Sequence, residues 1–247
     1  MVKINSLWLS VVLSTLAFTL LSVQFIAAWT RWQLPLWGVA VQLLLGGGVW
    51  LGFVYLTAGK PPAWAEPVAS LSVLTAMVAL GRLVGLAFRE PGLLLPALLL
   101  AGPLDYWGVQ QGFTAQMITE RPRLVEKVSA HLPTFGGAAR EAGLPALTIG
   151  PGDVATTALI LDCAVKFGWN LWWNVGLLFG LTALGLGAGV LLGLPVPGLV
   201  FIGLAGILAN WRHFRYSREE KKALLIAAAL VGGLVGALVL AGRVRGL

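Results

Sequence analysis

Along the chain, long apolar stretches alternate with short polar connections, and none of the apolar stretches shows the every-second-residue alternation of a strand. Eight runs stand out, at roughly residues 7–29, 36–58, 68–88, 91–112, 146–168, 171–193, 197–211 and 223–241. Most are about 20 residues long, enough to cross a bilayer as a helix. Helix is the expected form because lipid offers no partner to an unpaired backbone group. The pattern therefore predicts an all-α polytopic membrane protein of about eight transmembrane helices, with the seventh run the shortest.

Trp29, Trp32, Trp37, Trp64, Trp169, Trp172 and Trp211 lie near run ends, where an amphipathic ring suits the headgroup zone. Gly48 with Gly52, Gly176 with Gly180, and Gly232 with Gly236 are spaced one helical turn apart, a spacing that lets neighbouring backbones approach, so packing is expected there. The longest connection, 113–145, is broken by Pro122, Pro133, Gly136, Gly137, Gly143 and Pro145; a surface helix over 124–130 is the most it should hold.

Composition narrows the class. Hydrophobic residues make up 58% and charged residues 11%, which excludes an ordinary soluble domain. The net charge of +7 is spread over short connections beside apolar runs, which points to the lipid bilayer as partner and not to nucleic acid. Basic residues do not orient the chain. With eight spans, Lys3, Lys60, Arg121, Arg123, Lys127, Arg140, Arg243 and Arg245 fall on one side; Arg31, Arg89, Lys166, Arg212, Arg215, Arg218, Lys221 and Lys222 fall on the other. The single Cys163, inside an apolar run, excludes a disulfide framework and a Cys/His zinc cluster. The first apolar run is too long for an ordinary signal-peptide core and is read as a retained helix.

The acids separate solvation from function. All seven glutamates (Glu66, Glu90, Glu120, Glu126, Glu141, Glu219, Glu220) lie in connections or at run ends, whereas Asp105, Asp153 and Asp162 all lie inside apolar runs. A carboxylate taken out of water costs about 3 kcal/mol or more, so each needs a partner or a task. Asp105 comes shortly before its run ends and Asp153 shortly after the next begins, which places both on the order of 10 Å below one membrane face. Two carboxyls brought together there cannot both ionise; one holds a proton while the other serves as base, an arrangement suited to activating water. Gly150 and Gly152 remove side chains beside Asp153, and Pro151 is tolerated in a first helical turn.

Asp162 falls on the opposite face of its helix from Asp153 and has Lys166 one turn on. An Asp162–Lys166 pair along the helix is the expected, non-catalytic reading. Arg82 is the other charge inside a run, either paired with an acid or reaching to a surface. His131 and His213 lie in connections, so no buried histidine is available for a serine protease, and there is no His-Glu-x-x-His for a zinc one. Glu219 and Glu220 are read as the acidic first turn of the last helix.

At Asp105 and at Gly150-Pro151-Gly152-Asp153 the chain resembles the presenilin and signal peptide peptidase group of intramembrane aspartyl proteases. Leu194-Pro195-Val196-Pro197-Gly198 is similar to that group's Pro-Ala-Leu motif, though without its Ala-Leu pair, and Leu104 stands where the group carries tyrosine. The resemblance covers about residues 90–206. It implies a presenilin-like helix bundle with a catalytic aspartate on each of two adjacent helices. It also implies an endopeptidase that cleaves transmembrane protein or peptide substrates with Asp105 and Asp153. Gly150, Pro151, Gly152, Leu194, Pro195, Val196, Pro197 and Gly198 would bind substrate, with no cofactor or metal. A multi-pass protein of a prokaryotic plasma membrane is implied too.

The expected organisation is one membrane domain: a three-helix part at 1–89, a catalytic core at 90–210, and a basic linker with a last helix at 211–247. Prepilin peptidases share the Gly-x-Gly-Asp but typically carry a lysine two residues on, where Ala155 stands here. Two other readings stay open. One is a small-solute or proton-coupled transporter with titrating aspartates, the other a relative that binds helices without cutting them.

Overall fold

The computed structural model describes residues 2–56, 65–110, 130–131, 148–192 and 196–245. Eight α-helices occupy them: α1 (Val2–Arg31), α2 (Leu36–Leu56), α3 (Ala65–Ala87), α4 (Leu94–Gln110), α5 (Pro151–Lys166), α6 (Leu171–Leu192), α7 (Gly198–Asn210) and α8 (Arg218–Arg245). Each expected apolar run holds one of them. By length and composition four contain segments fit to cross a membrane, at Val12–Arg31, Leu36–Phe53, Pro67–Ala87 and Leu171–Gly189. The described residues are all-helical apart from connections and a two-residue antiparallel bridge, β1 (Ala130–His131) against β2 (Thr148–Ile149).

The centre of the bundle is α5. Ala158, Ile160, Leu161, Cys163 and Ala164 are all fully buried, so α5 has no lipid-facing side over this stretch, as an apolar helix in a bundle interior requires. It packs on α3, α1, α7 and α6, while α2 lies outside α3. Contacts fix two ends. At one, the ends of α1, α3 and α5 meet: Arg82 of α3 reaches the Trp29 and Trp32 carbonyls and Asp162. At the other, the end of α4 meets the start of α7, where the Leu199 N–H donates to Asp105.

Three expectations are corrected. The run at 146–168 does not begin as helix: Thr148–Ile149 is a strand, Gly150 is extended (φ −67°, ψ 151°), and the helix starts at Pro151, whose fixed φ suits a first helical position and whose missing N–H costs nothing there. Among the described residues the paired glycines Gly48/Gly52, Gly176/Gly180 and Gly232/Gly236 do not mediate packing, since nothing described lies within 4 Å of where their side chains would start. Helices instead approach closely at Gly46, against the α3 backbone at Ser72 and Ala76, and at Gly81 and Gly85, against α5. The aspartate-bearing helices are also not neighbours in the expected sense. α4 packs chiefly on α7 and α8, and α7 bridges it to α5. Of the helix expected over 124–130, only Ala130 is described, and it lies in β1.

Candidate active site

Asp153 is the third residue of α5, following the extended Gly150 and the helix-initiating Pro151. Its Oδ2 accepts from the Gly150 N–H at 3.3 Å, closing back over the start of its own helix. The free N–H groups of a first turn favour a negative charge in that place. Asp105 lies near the far end of α4, two residues after Pro103, which withholds one donor from the helical ladder there. Its Oδ2 accepts from the Leu199 N–H at 3.0 Å.

The two carboxyls converge on the start of α7. Pro197 is extended and caps that helix, so Gly198 and Leu199 form its first turn, with backbone N–H groups that have no partner inside the helix. Asp105 takes the one at Leu199. Asp153 lies against Gly198, where a methyl carbon would sit 2.7 Å from both of its carboxylate oxygens. Both acids thus rest on consecutive residues of one backbone segment, and each lies within electrostatic reach of the other. Both are partly buried. Among the described residues neither makes an ion pair, and no three histidine, cysteine or acidic side chains converge as a metal site.

The expected site residues divide accordingly. Asp105, Asp153, Gly150, Pro197 and Gly198 come together, with Val196 directly before Pro197. Pro151 starts α5 and takes no part in the contacts. Gly152 is exposed, and a side chain there would meet only Leu199 Cδ1 at 3.9 Å, an ordinary contact. The close approach of a neighbouring backbone to Asp153 occurs at Gly198. Leu194 and Pro195 lie outside the described residues. Sequence reasoning missed the Leu199 N–H, because a backbone donor carries no residue signature; the Pro-Gly helix start at 197–198 was the available signal.

A second polar cluster lies at the opposite end of α5. Asp162 pairs with Arg82 Nε at 3.4 Å, and the Arg82 guanidinium, 3% exposed, also donates to the Trp29 carbonyl at 3.3 Å and the Trp32 carbonyl at 2.6 Å. Lys166 does not take the expected pairing. It donates to the Gly85 and Phe88 carbonyls at 3.1 and 2.8 Å, where the end of α3 leaves acceptors open. The physical reason is geometric: the rigid Arg82 fork donates from its two terminal nitrogens to two helix-end carbonyls while its Nε faces Asp162 as a charge partner, and the lysine ammonium is left for the neighbouring helix end.

Asn174 of α6 and Asn210 of α7 form a further pair missed in the sequence. Asn174 Nδ2 donates to Asn210 Oδ1 at 3.1 Å and Asn210 Nδ2 to Asn174 Oδ1 at 2.7 Å, with their second N–H groups on the Asn170 and Gly206 carbonyls. Both side-chain amides are satisfied, so the pair fixes α7 against α6. Compared with protein-family models, curated proteins and solved structures, the chain matches none.

Proposed function

We propose that the chain is an intramembrane aspartyl endopeptidase in which Asp105 and Asp153 act as a coupled acid pair on peptide bonds of transmembrane segments. One observation carries the reading: two carboxyls from different helices, neither ion-paired, meet on Gly198 and Leu199. The bundle then sits in a bilayer with all eight helices embedded, and the short α4, α5 and α7 place the acids below one face. The presenilin-like arrangement of Gly150-Pro151-Gly152-Asp153 and the proline-rich segment before α7 agrees with it.

In this reading the pair shares one proton. The ionised carboxyl takes a proton from water as the water oxygen attacks the scissile carbonyl carbon, and the protonated partner donates to the carbonyl oxygen. The tetrahedral diol collapses when its C–N bond breaks, the nitrogen receives a proton from the pair, and a carboxylic acid and an amine leave. The two carboxyls titrate as a unit, so neither is assigned a fixed role. A helical substrate must unwind first, because its carbonyls are hydrogen-bonded. Extended backbone at β2 or before Gly198 offers it strand-like pairing.

Cleavage of a fluorogenic transmembrane peptide in liposomes tests the proposal. Asp105→Ala and Asp153→Ala each abolish product, and a peptide analogue with a hydroxyl in place of the scissile carbonyl binds wild type far more tightly than substrate. Turnover retained in either variant refutes the assignment. Solute uptake with no peptide product would favour a carrier.

A further inference from the structure

We infer that α3, which contributes nothing to the acid pair directly, is the element that positions Asp153, acting through Gly81 and Gly85; the inference rests on the proteolytic reading above. The two glycines are one helical turn apart and both face α5. A methyl carbon at Gly81 would press into the Ala155 carbonyl, whose carbon it would approach to 3.0 Å, and would lie 2.9 Å from Ala158 Cβ. One at Gly85 would lie 2.6 Å from Asp162 Oδ2.

Ala155 is two residues beyond Asp153, about 3 Å along the helix axis, so backbone contact at Gly81 sets the height and roll of the turn that carries the acid. Further along α5 the same seam is held by polar contacts. Arg82 grips Asp162 and the carbonyls that end α1, and Lys166 grips the carbonyls that end α3. Each turn of α5 beyond Asp153 is therefore referenced to α3. With α5 unable to slide or roll, Asp153 is held against Gly198 and beside Asp105. Gly81 and Gly85 are positioning residues: their nearest neighbours are Ala155, Ala158 and Asp162, not the acids of the pair.

The test compares Gly81→Ala, Gly85→Ala and Gly176→Ala in liposomes, with rates referred to folded protein measured by gel filtration. A displacement of the order of 1 Å at a reacting group costs about a hundredfold in rate. Gly81→Ala, which meets backbone, is expected to lower kcat by about that factor with KM within about twofold. Gly85→Ala, which meets a side-chain end, is expected to lower kcat by about tenfold. Affinity for the hydroxyl analogue falls in step with kcat. Gly176→Ala, with nothing within 4 Å, leaves all parameters unchanged.

Folded Gly81→Ala with wild-type kcat and analogue affinity, or with a rise in KM alone, overturns the inference. If Gly81→Ala does not fold, Gly85→Ala decides on the same criteria. Absence of cleavage by wild type would instead count against the proteolytic reading, so the two failures are distinguishable.

Discussion

The two ends of α5 handle the same chemical problem in opposite ways. At one end Asp162 has a cation: Arg82 spans from it to the carbonyls of α1, and the charges compensate within the interior. At the other, Asp153 has no cation among the described residues; a single backbone N–H from Gly150, the bare face of Gly198 and a second carboxyl surround it. An acid engaged by a cation is committed to that contact and is poorly placed for proton transfer. One held only by helix-start dipoles beside a like charge can exchange its proton. The difference in partners, not the depth of burial, separates the structural acid from the candidate catalytic one.

The most direct way to break this comparison is to neutralise each acid. Asp153→Asn should reduce peptide cleavage by more than about a thousandfold while leaving thermal unfolding little changed, since catalysis by such a group acts in the transition state. Asp162→Asn should do the reverse. It leaves Arg82 without its charge partner, at a cost of about 3 kcal/mol or more read from denaturation, while turnover per folded molecule falls by no more than about tenfold through the loosened α3–α5 seam. A catalytic collapse in Asp162→Asn, or a wild-type rate in Asp153→Asn, would erase the distinction.

Gly198→Ala sharpens the comparison without altering a charge. Its methyl carbon would arrive 2.7 Å from both Asp153 oxygens, and the acid must move away. A loss of about a hundredfold in kcat is expected, with about 1–3 kcal/mol lost in stability from overpacking. The Asn174–Asn210 pair supplies a case with no charge at all. Asn174→Leu leaves the Asn210 amide buried and short of partners, which should cost about 1–3 kcal/mol in denaturation and little in catalysis.

The smallest expected effect lies at the start of α8, where Ser217 and Glu220 form a reciprocal cap. The Ser217 N–H donates to Glu220 Oε2 at 2.6 Å and the Glu220 N–H to Ser217 Oγ at 3.2 Å. The Ser217 backbone N–H holds the Glu220 carboxyl below its ordinary value of 4.5. A carboxyl lowered on folding contributes stability that is present above the unfolded value and is lost as pH falls through the folded one. The protection of the Lys221 amide, whose N–H donates to the Ser217 carbonyl, relative to its intrinsic exchange rate should therefore fall only below about pH 4.5. Glu220→Gln should remove that pH dependence.

Hydropathy along the chain was enough to locate the eight described helices, because removal of apolar side chains from water is a local property of a segment and lipid permits only helix. It also singled out Asp105 and Asp153, since a carboxylate in an apolar run stands out without any knowledge of its neighbours. Their convergence could be anticipated only as a matter of depth. The sequence could not show α7 lying between their helices, or a backbone N–H holding Asp105.

Glycine spacing misled for a related reason. Gly48/Gly52, Gly176/Gly180 and Gly232/Gly236 share the one-turn spacing of Gly81/Gly85, yet among the described residues only the last pair meets a neighbouring helix, Gly81 at the Ala155 backbone and Gly85 at the Asp162 side chain. Arg82 likewise offered no sign of which acid it would meet. Spacing within a helix states which residues share a face, and this is determined by the chain alone. What that face meets depends on the position and roll of other helices, set by the simultaneous packing of α1, α3, α5 and α7, and so the pairing of Asp162 and the freedom of Asp153 were decided only in the tertiary structure.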